Sequence, residues 1–135
     1  MDVLQWTKRD HSGVSEMDET HAEFIALINA IGASRDAGDL RHLLRSLVEH
    51  TRVHFALESE LMRTCRFPAA REHEDEHARV LGDLARYAAM ADRGMPEMAK
   101  AFVCEYLPAW FRGHAATMDS ALARCVKDQR KRRSK

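Results

Sequence analysis

Six of the eight histidines in this 135-residue chain fall on apolar stripes that repeat with helical spacing. A buried imidazole costs free energy unless something satisfies its ring nitrogens. Six of them on the inner faces of one small domain therefore demand a common partner, and a shared metal is the economical one. The stripes themselves dictate the fold. Residues 17–36 carry Met17, His21, Phe24, Ile28 and Ile31 at alternating intervals of four and three. Residues 40–65 carry Leu40, Leu43, Leu47, His50, His54, Glu58, Leu61 and Cys65 on or near one face. Residues 69–91 carry His73, His77, Val80, Leu84 and Ala91, and residues 97–126 carry Val103, Leu107, Trp110, His114, Thr117 and Ala121.

The breaks between the segments are short. Ala37-Gly38-Asp39 ends the first, Phe67-Pro68 the second, and Arg93-Gly94-Met95-Pro96 the third. Four amphipathic helices with such connections predict an all-α, up-down-up-down four-helix bundle. Residues 1–16 contain Trp6 and no clear period, and are expected to form an arm over the bundle. Pro108 should kink the fourth helix, where it removes a hydrogen bond.

Apolar residues make up 45% of the chain and charged residues 31%, which suits a single globular domain rather than a disordered or collagen-like one. No apolar run approaches the ~20 residues of a membrane span, and the N-terminal residues do not resemble a secretory signal. Net charge is zero but unevenly placed. Residues 127–135 hold six basic groups and one acid, so the remainder is acidic and unlike a nucleic-acid binder. That basic stretch is expected to be a disordered tail beyond a domain spanning 1–126. Three widely spaced cysteines suggest free thiols in a reducing compartment, the cytoplasm. A monomer is the expected state.

Spacing identifies the candidate ligands. His54 and Glu58 are four apart on the second helix and aim at one spot, as do His73 and His77 on the third. His21 comes from the first helix. His114 and Asp119 are five apart, about 140° around an α-helix, which is awkward for chelating one ion. It could place a carboxylate across the middle of a two-metal site. Five imidazoles, two bridging carboxylates and one bridging hydroxide leave one of the twelve positions of an octahedral metal pair open. Imidazole with carboxylate suits iron, and an open position on a redox metal is where O2 binds.

The segments Asp18-Glu19-Thr20-His21, His54 through Glu58 with Leu61-Met62, Phe67-Pro68, the His73/His77 pair, and Trp110 with His114 and Asp119 resemble the single-domain bacterial hemerythrins. The resemblance covers roughly residues 4–122. It implies two non-heme irons and reversible O2 binding without enzymatic turnover. It also implies that His73, His77 and His114 hold one iron and His21 and His54 the other, with Glu58 and Asp119 bridging. O2 would then be the ligand, with an O2-consuming enzyme as a candidate partner. The chain departs from the family at His50, Ser59, Phe67, Pro108 and Ala115, the last standing where a bulky Ile is usual. None of these removes a ligand.

Parts of the sequence also fit other metal-site patterns. His73-Glu74-Asp75-Glu76-His77 fits the H-E-x-x-H pattern of zinc proteases, although it leaves the other four candidates unexplained. Ferritin-like oxidases use paired Glu-x-x-His motifs, of which only Glu74 to His77 matches. A diiron enzyme acting on peroxide, nitric oxide or O2 in the same fold is the stronger alternative.

Overall fold

The computed structural model describes residues 2–134. Three antiparallel helices come first: α1 (Ser15–Ala33), α2 (Ala37–Cys65) and α3 (Ala70–Asp92). The fourth arm of the bundle is one unbroken helical run over 96–133. It comprises α4 (Pro96–Ala101), α5 (Leu107–His114) and α6 (Ser120–Arg133), joined by two π turns at Phe102–Tyr106 and Ala115–Asp119. α2 packs against α1, α3 and α6, and α3 against α4, which closes a four-helix bundle.

The helix ends follow local chemistry. The Asp36 carboxylate accepts from Gly38 N at 2.7 Å and Asp39 N at 3.1 Å, capping orphan donors of α2. At the other end Arg66 takes a left-handed conformation, φ 56°, and ends the helix before Pro68. Pro96 occupies the first turn of α4, where its missing N–H costs nothing.

Residues 2–14 cross the bundle as an arm. Asn29 clips it to α1, accepting from Leu4 N and donating to Leu4 O, both at 2.9 Å. Val3 sits so close to the α1 backbone that a Cβ at Gly32 would collide with it. A capping box between Thr7 and Asp10 fixes a short 3-10 turn over Lys8–Asp10.

Pro108 does not break the helix. It lies two residues after the first π turn, in the first turn of α5. The second π turn changes which face of the helix is buried. Thr117 and Ala121, in line by α-helical spacing, are exposed. Asp119, Leu122, Ala123 and Val126 point inward instead, and Phe111 rather than the half-buried Trp110 occupies the core face. An i→i+5 turn carries one extra residue, so every later position shifts by one.

The basic stretch expected to be disordered is also different. Its residues continue α6 to Arg133, with Lys127 Nζ donating to Ser12 O at 2.9 Å and Arg130 paired with Glu16. Cations at a helix C-terminus favour this continuation through the helix dipole. Among the described residues the three cysteines are free, and no helix is long and apolar enough to cross a membrane.

The core is divided in two. A large apolar cluster runs from Leu4, Phe24 and Leu47 to Leu107 and Phe111, and a smaller one gathers Met17, Leu61, Met62, Leu122 and Val126. Along each helix the change from one cluster to the other coincides with buried histidines or carboxylates, so a polar layer separates the two.

Candidate metal centre

That layer consists of His21, His54, Glu58, His73, His77, His114 and Asp119, each no more than 6% exposed. α1 supplies His21. α2 supplies His54 and Glu58, and α3 supplies His73 and His77, both pairs at the four-residue spacing that stacks side chains on one helix face. His114 ends α5, and Asp119 ends the π turn after it. The wider turn brings the two together: His114 Nε2 lies 3.2 Å from Asp119 Oδ1.

The two carboxylates divide the imidazoles between their oxygens. Glu58 Oε1 is 3.3 Å from Nε2 of both His73 and His77, while its Oε2 is 2.8 Å from His54 Nε2 and 3.3 Å from His21 Nε2. Asp119 repeats the division. Its Oδ1 faces His73 at 3.1 Å and His114 at 3.2 Å, and its Oδ2 faces His21 at 3.2 Å. Two overlapping sets of close-set donor atoms result: Glu58, His73, His77, His114 and Asp119 in one, and His21, His54 and Glu58 in the other.

These residues fit metal ions better than they fit one another. Neither Asp119 oxygen makes a hydrogen bond, although three imidazoles lie within 3.2 Å. The separations are those of a hydrogen bond, but the directions are not. Donors that converge on a point between them have this geometry. His77 Nε2 and His114 Nε2 are 3.1 Å apart, close to the ~3 Å between adjacent ligands on a metal with ~2.1 Å bonds. All five rings direct Nε2 at the cluster and leave Nδ1 without a partner.

Electrostatics agree. Burial opposes protonation of His21 and His73, yet the Asp119 and Glu58 carboxylates overcome it and raise both to about 9. Burial dominates at His77 and lowers it. Burial should raise Glu58, but the four imidazoles around it hold it well below the usual carboxylate range. At Asp119, burial and the Glu58 charge push upward, and the imidazoles of His114, His21 and His73 win. Two anionic carboxylates in an apolar bundle make a pocket set for positive charge.

Aromatic rings support the layer unequally. Phe55 stacks on His77 with centroids 3.7 Å apart and planes 3° from parallel, and Trp110 stacks on His114 at 4.6 Å. Trp110 is anchored by its Nε1 donating to Glu76 Oε1 at 2.7 Å. His21 instead meets the edges of Trp6 and Phe111, at 6.1 Å and 5.0 Å. Sequence reasoning placed Trp110 on the inward stripe with His114 but missed Phe55, Phe111 and Glu76. Phe55 and Phe111 could have been found as neighbours of ligand positions facing the bundle.

His50, on the same predicted stripe, is not in the cluster. Its ring is half-buried, with Nε2 3.4 Å from Glu23 Oε1 and its centroid 5.8 Å from that of His54. Glu74, the acid of the H-E-x-x-H pattern, is exposed and accepts from Ser59 Oγ, so it takes no part in the cluster. A cavity of about 450 Å³ reaches the cluster from the surface, between the N-terminal arm and the last helix, and touches His21 and Asp119 beside Ala115.

Comparisons with known proteins agree with this geometry. The sequence profile of the Hemerythrin HHE cation binding domain matches residues 12–126. A bacteriohemerythrin of Stenotrophomonas maltophilia is 25% identical over 130 residues, 94% of this chain and 84% of its own length. A hemerythrin-like protein of Naegleria gruberi is 28% identical over 80 residues, 59% of this chain. The match spans 65% of the Naegleria protein's length, slightly under two thirds. Among solved structures, wild-type hemerythrin superposes with a TM-score of 0.83 at 19% identity, covering 91% of this chain and 97% of its own. A hemerythrin point mutant gives 0.85, also at 19%, covering 93% and 98%. The structural likeness speaks for the fold, and the profile match speaks for the family: this chain belongs to the hemerythrin HHE cation-binding domain family.

Proposed function

We propose that this protein binds O2 reversibly at two non-heme iron ions, as a carrier, store or sensor. The observation that carries the reading is the division of each carboxylate, with one oxygen of Glu58 and of Asp119 facing the His73 side and the other facing the His21 side. A single ion would leave half of those donors unused. His73, His77 and His114 would hold one ion, His21 and His54 the other, with Glu58 and Asp119 shared between them. Ferrous iron there supplies the electrons that O2 binding draws on and release returns.

The chain's own residues supply the rest. The stacked Phe55 and Trp110 hold the His77 and His114 rings in place. The His21 side offers one imidazole fewer than the His73 side and is the side the cavity reaches, so a small ligand arriving there would meet the less crowded set of donors. Phe24 and Phe111 exclude water from the apolar side of His54 and His21.

A second reading, a diiron enzyme acting on peroxide, nitric oxide or O2, draws support from the polar lining of that cavity. One experiment separates the two. The protein is reduced without air, exposed to O2, and then placed under vacuum, with iron analysis and visible spectroscopy throughout. A carrier holds two irons per chain and returns to its reduced spectrum. Oxidised iron that vacuum cannot reverse favours the enzyme, and a chain that takes zinc and refuses iron overturns both.

A further inference from the structure

Two of the three cysteines meet where α2 ends. Cys65 is the last residue of α2, and Cys125 lies 60 positions later, in α6. The final carbonyls of a helix have no partner within it. The Cys125 thiol supplies one here, donating to Cys65 O at 3.2 Å. The Cys65 thiol has only a long contact of its own, 3.9 Å to Met62 O, and the Cys125 thiol is its direct neighbour. The π turn over Ala115–Asp119 sets this meeting. It turns Leu122, Ala123 and Val126 inward and leaves Cys125 half-buried at the edge of the same apolar cluster that encloses Cys65. The two sulfurs differ in access. Cys65 is 6% exposed, and burial, followed by the Cys125 thiol, pushes it up to about 12 despite the charge of Arg132. Cys125 is the one that solvent reaches.

We propose that Cys65 and Cys125 form a peroxide-reactive dithiol, a modification site separate from the metal centre, which hydrogen peroxide closes into a disulfide between α2 and α6. The Cys125 thiolate attacks one peroxide oxygen. An S–O bond forms, the O–O bond breaks, and the hydroxide that leaves takes up the thiol proton as water. The Cys65 sulfur then attacks the Cys125 sulfenic acid. An S–S bond forms, the S–O bond breaks, and the oxygen leaves as water with the Cys65 proton. Two thiols lose two electrons and two protons, and one peroxide becomes two waters. Cys65 is closed to an oxidant from solvent but lies against the sulfur it must attack, so Cys125 is the attacking thiol and Cys65 the resolving one. The crosslink joins α2, which carries Glu58, to α6, which begins directly after Asp119. It does not rest on the iron reading, because sulfur and peroxide alone complete it.

In the test the full chain is reduced, freed of reductant without air, and treated with hydrogen peroxide up to a tenfold excess. Free thiols should fall from three to one. The chain should lose the mass of two hydrogens, and digestion should release Cys65 and Cys125 as one linked peptide pair. Closing a loop of 60 residues should raise Tm by roughly 10 °C, and dithiothreitol should reverse the rise. Cys104→Ser should form the same disulfide. Cys65→Ala should stop after the first step, with one oxygen added at Cys125 and captured by dimedone. Cys125→Ala should leave Cys65 reduced. Three thiols that survive the tenfold excess overturn the proposal, as does a disulfide that involves Cys104 or a second chain. Oxidation of Cys65 in Cys125→Ala at the parent rate overturns the order of attack and with it the dithiol. Iron per chain, measured on the same samples, tests the O2 reading separately: a chain that takes up no iron defeats that reading, and the thiol count still decides this one.

Discussion

Asp119 Oδ1 lies 3.2 Å from His114 Nε2, although the two residues are five apart on one continuous helix. On an α-helix they would diverge by about 140°. The π turn over Ala115–Asp119 removes that divergence and places both on the inner face. A single extra residue in the helix thus determines whether the fourth arm of the bundle contributes one donor or two.

The π turn behaves as a one-residue insertion, which sets opposite expectations for two variants. Deleting the exposed Thr117 should close the turn to α-helical spacing, keep Leu122, Ala123 and Val126 in the core, and leave the fold intact. Inserting one Ala after Thr117 should rotate those three by about 100°. Each large apolar side chain expelled costs ~1.5–3 kcal/mol, a serious loss against a typical 5–15 kcal/mol. Thermal melts followed by circular dichroism should show the insertion melting far below the deletion. Similar melting temperatures would contradict this account of the turn.

Glu58 meets four imidazoles and should be the least replaceable donor. Glu58→Gln keeps the size but removes the charge and one acceptor oxygen, so most of the iron should be lost with helicity retained. Ser59→Ala, one residue along and bonded to the exposed Glu74, should retain the parent iron content. The check is iron per chain, measured beside the far-ultraviolet spectrum.

Ala115 lines the cavity at its inner end. Ala115→Ile adds three carbons there, which should hinder water and anions from reaching the His21 side. Autoxidation of the oxygenated protein should slow severalfold relative to the parent. Identical decay rates in air would show that the passage does not limit the reaction.

His50 faces Glu23 rather than the cluster, and burial lowers its pKa while Glu23 partly compensates. His50→Phe should keep two irons and the oxygenated spectrum, because no donor atom of the centre is touched. Loss of iron in that variant would make His50 a ligand.

Arg130 joins the last turns of α6 to Glu16 on α1 and holds the Glu16 carboxyl down at about 2. Because the folded value lies below the usual 4.5, this tie stabilises the protein above pH 4.5 and is lost as the pH falls towards 2. Both side chains are well exposed, so Arg130→Ala should cost less than ~1 kcal/mol, or no more than about 4 °C in Tm. That gap should be present at pH 7 and close near pH 2. A gap that persists there would mean that Arg130 acts through packing.

The helices, their approximate limits and the seven clustered residues were legible in the sequence, because burial on one face of a helix imposes a local period that survives in one dimension. His73 with His77 and His54 with Glu58 could be paired for the same reason. Other features depended on three dimensions. Spacing counted at 100° per residue put Thr117 and Ala121 inside, since a π turn leaves no local signature distinguishing its extra residue from an ordinary one. It likewise put His50 on the ligand stripe, whereas the direction of the Glu23 side chain on a different helix drew it aside. The tail became helix because Ser12 and Glu16, more than a hundred residues earlier, accept Lys127 and Arg130. The cavity exists between an arm and a helix from opposite ends of the chain. Periodicity reports which side of a helix is buried; what lies across from it is determined only when the helices pack.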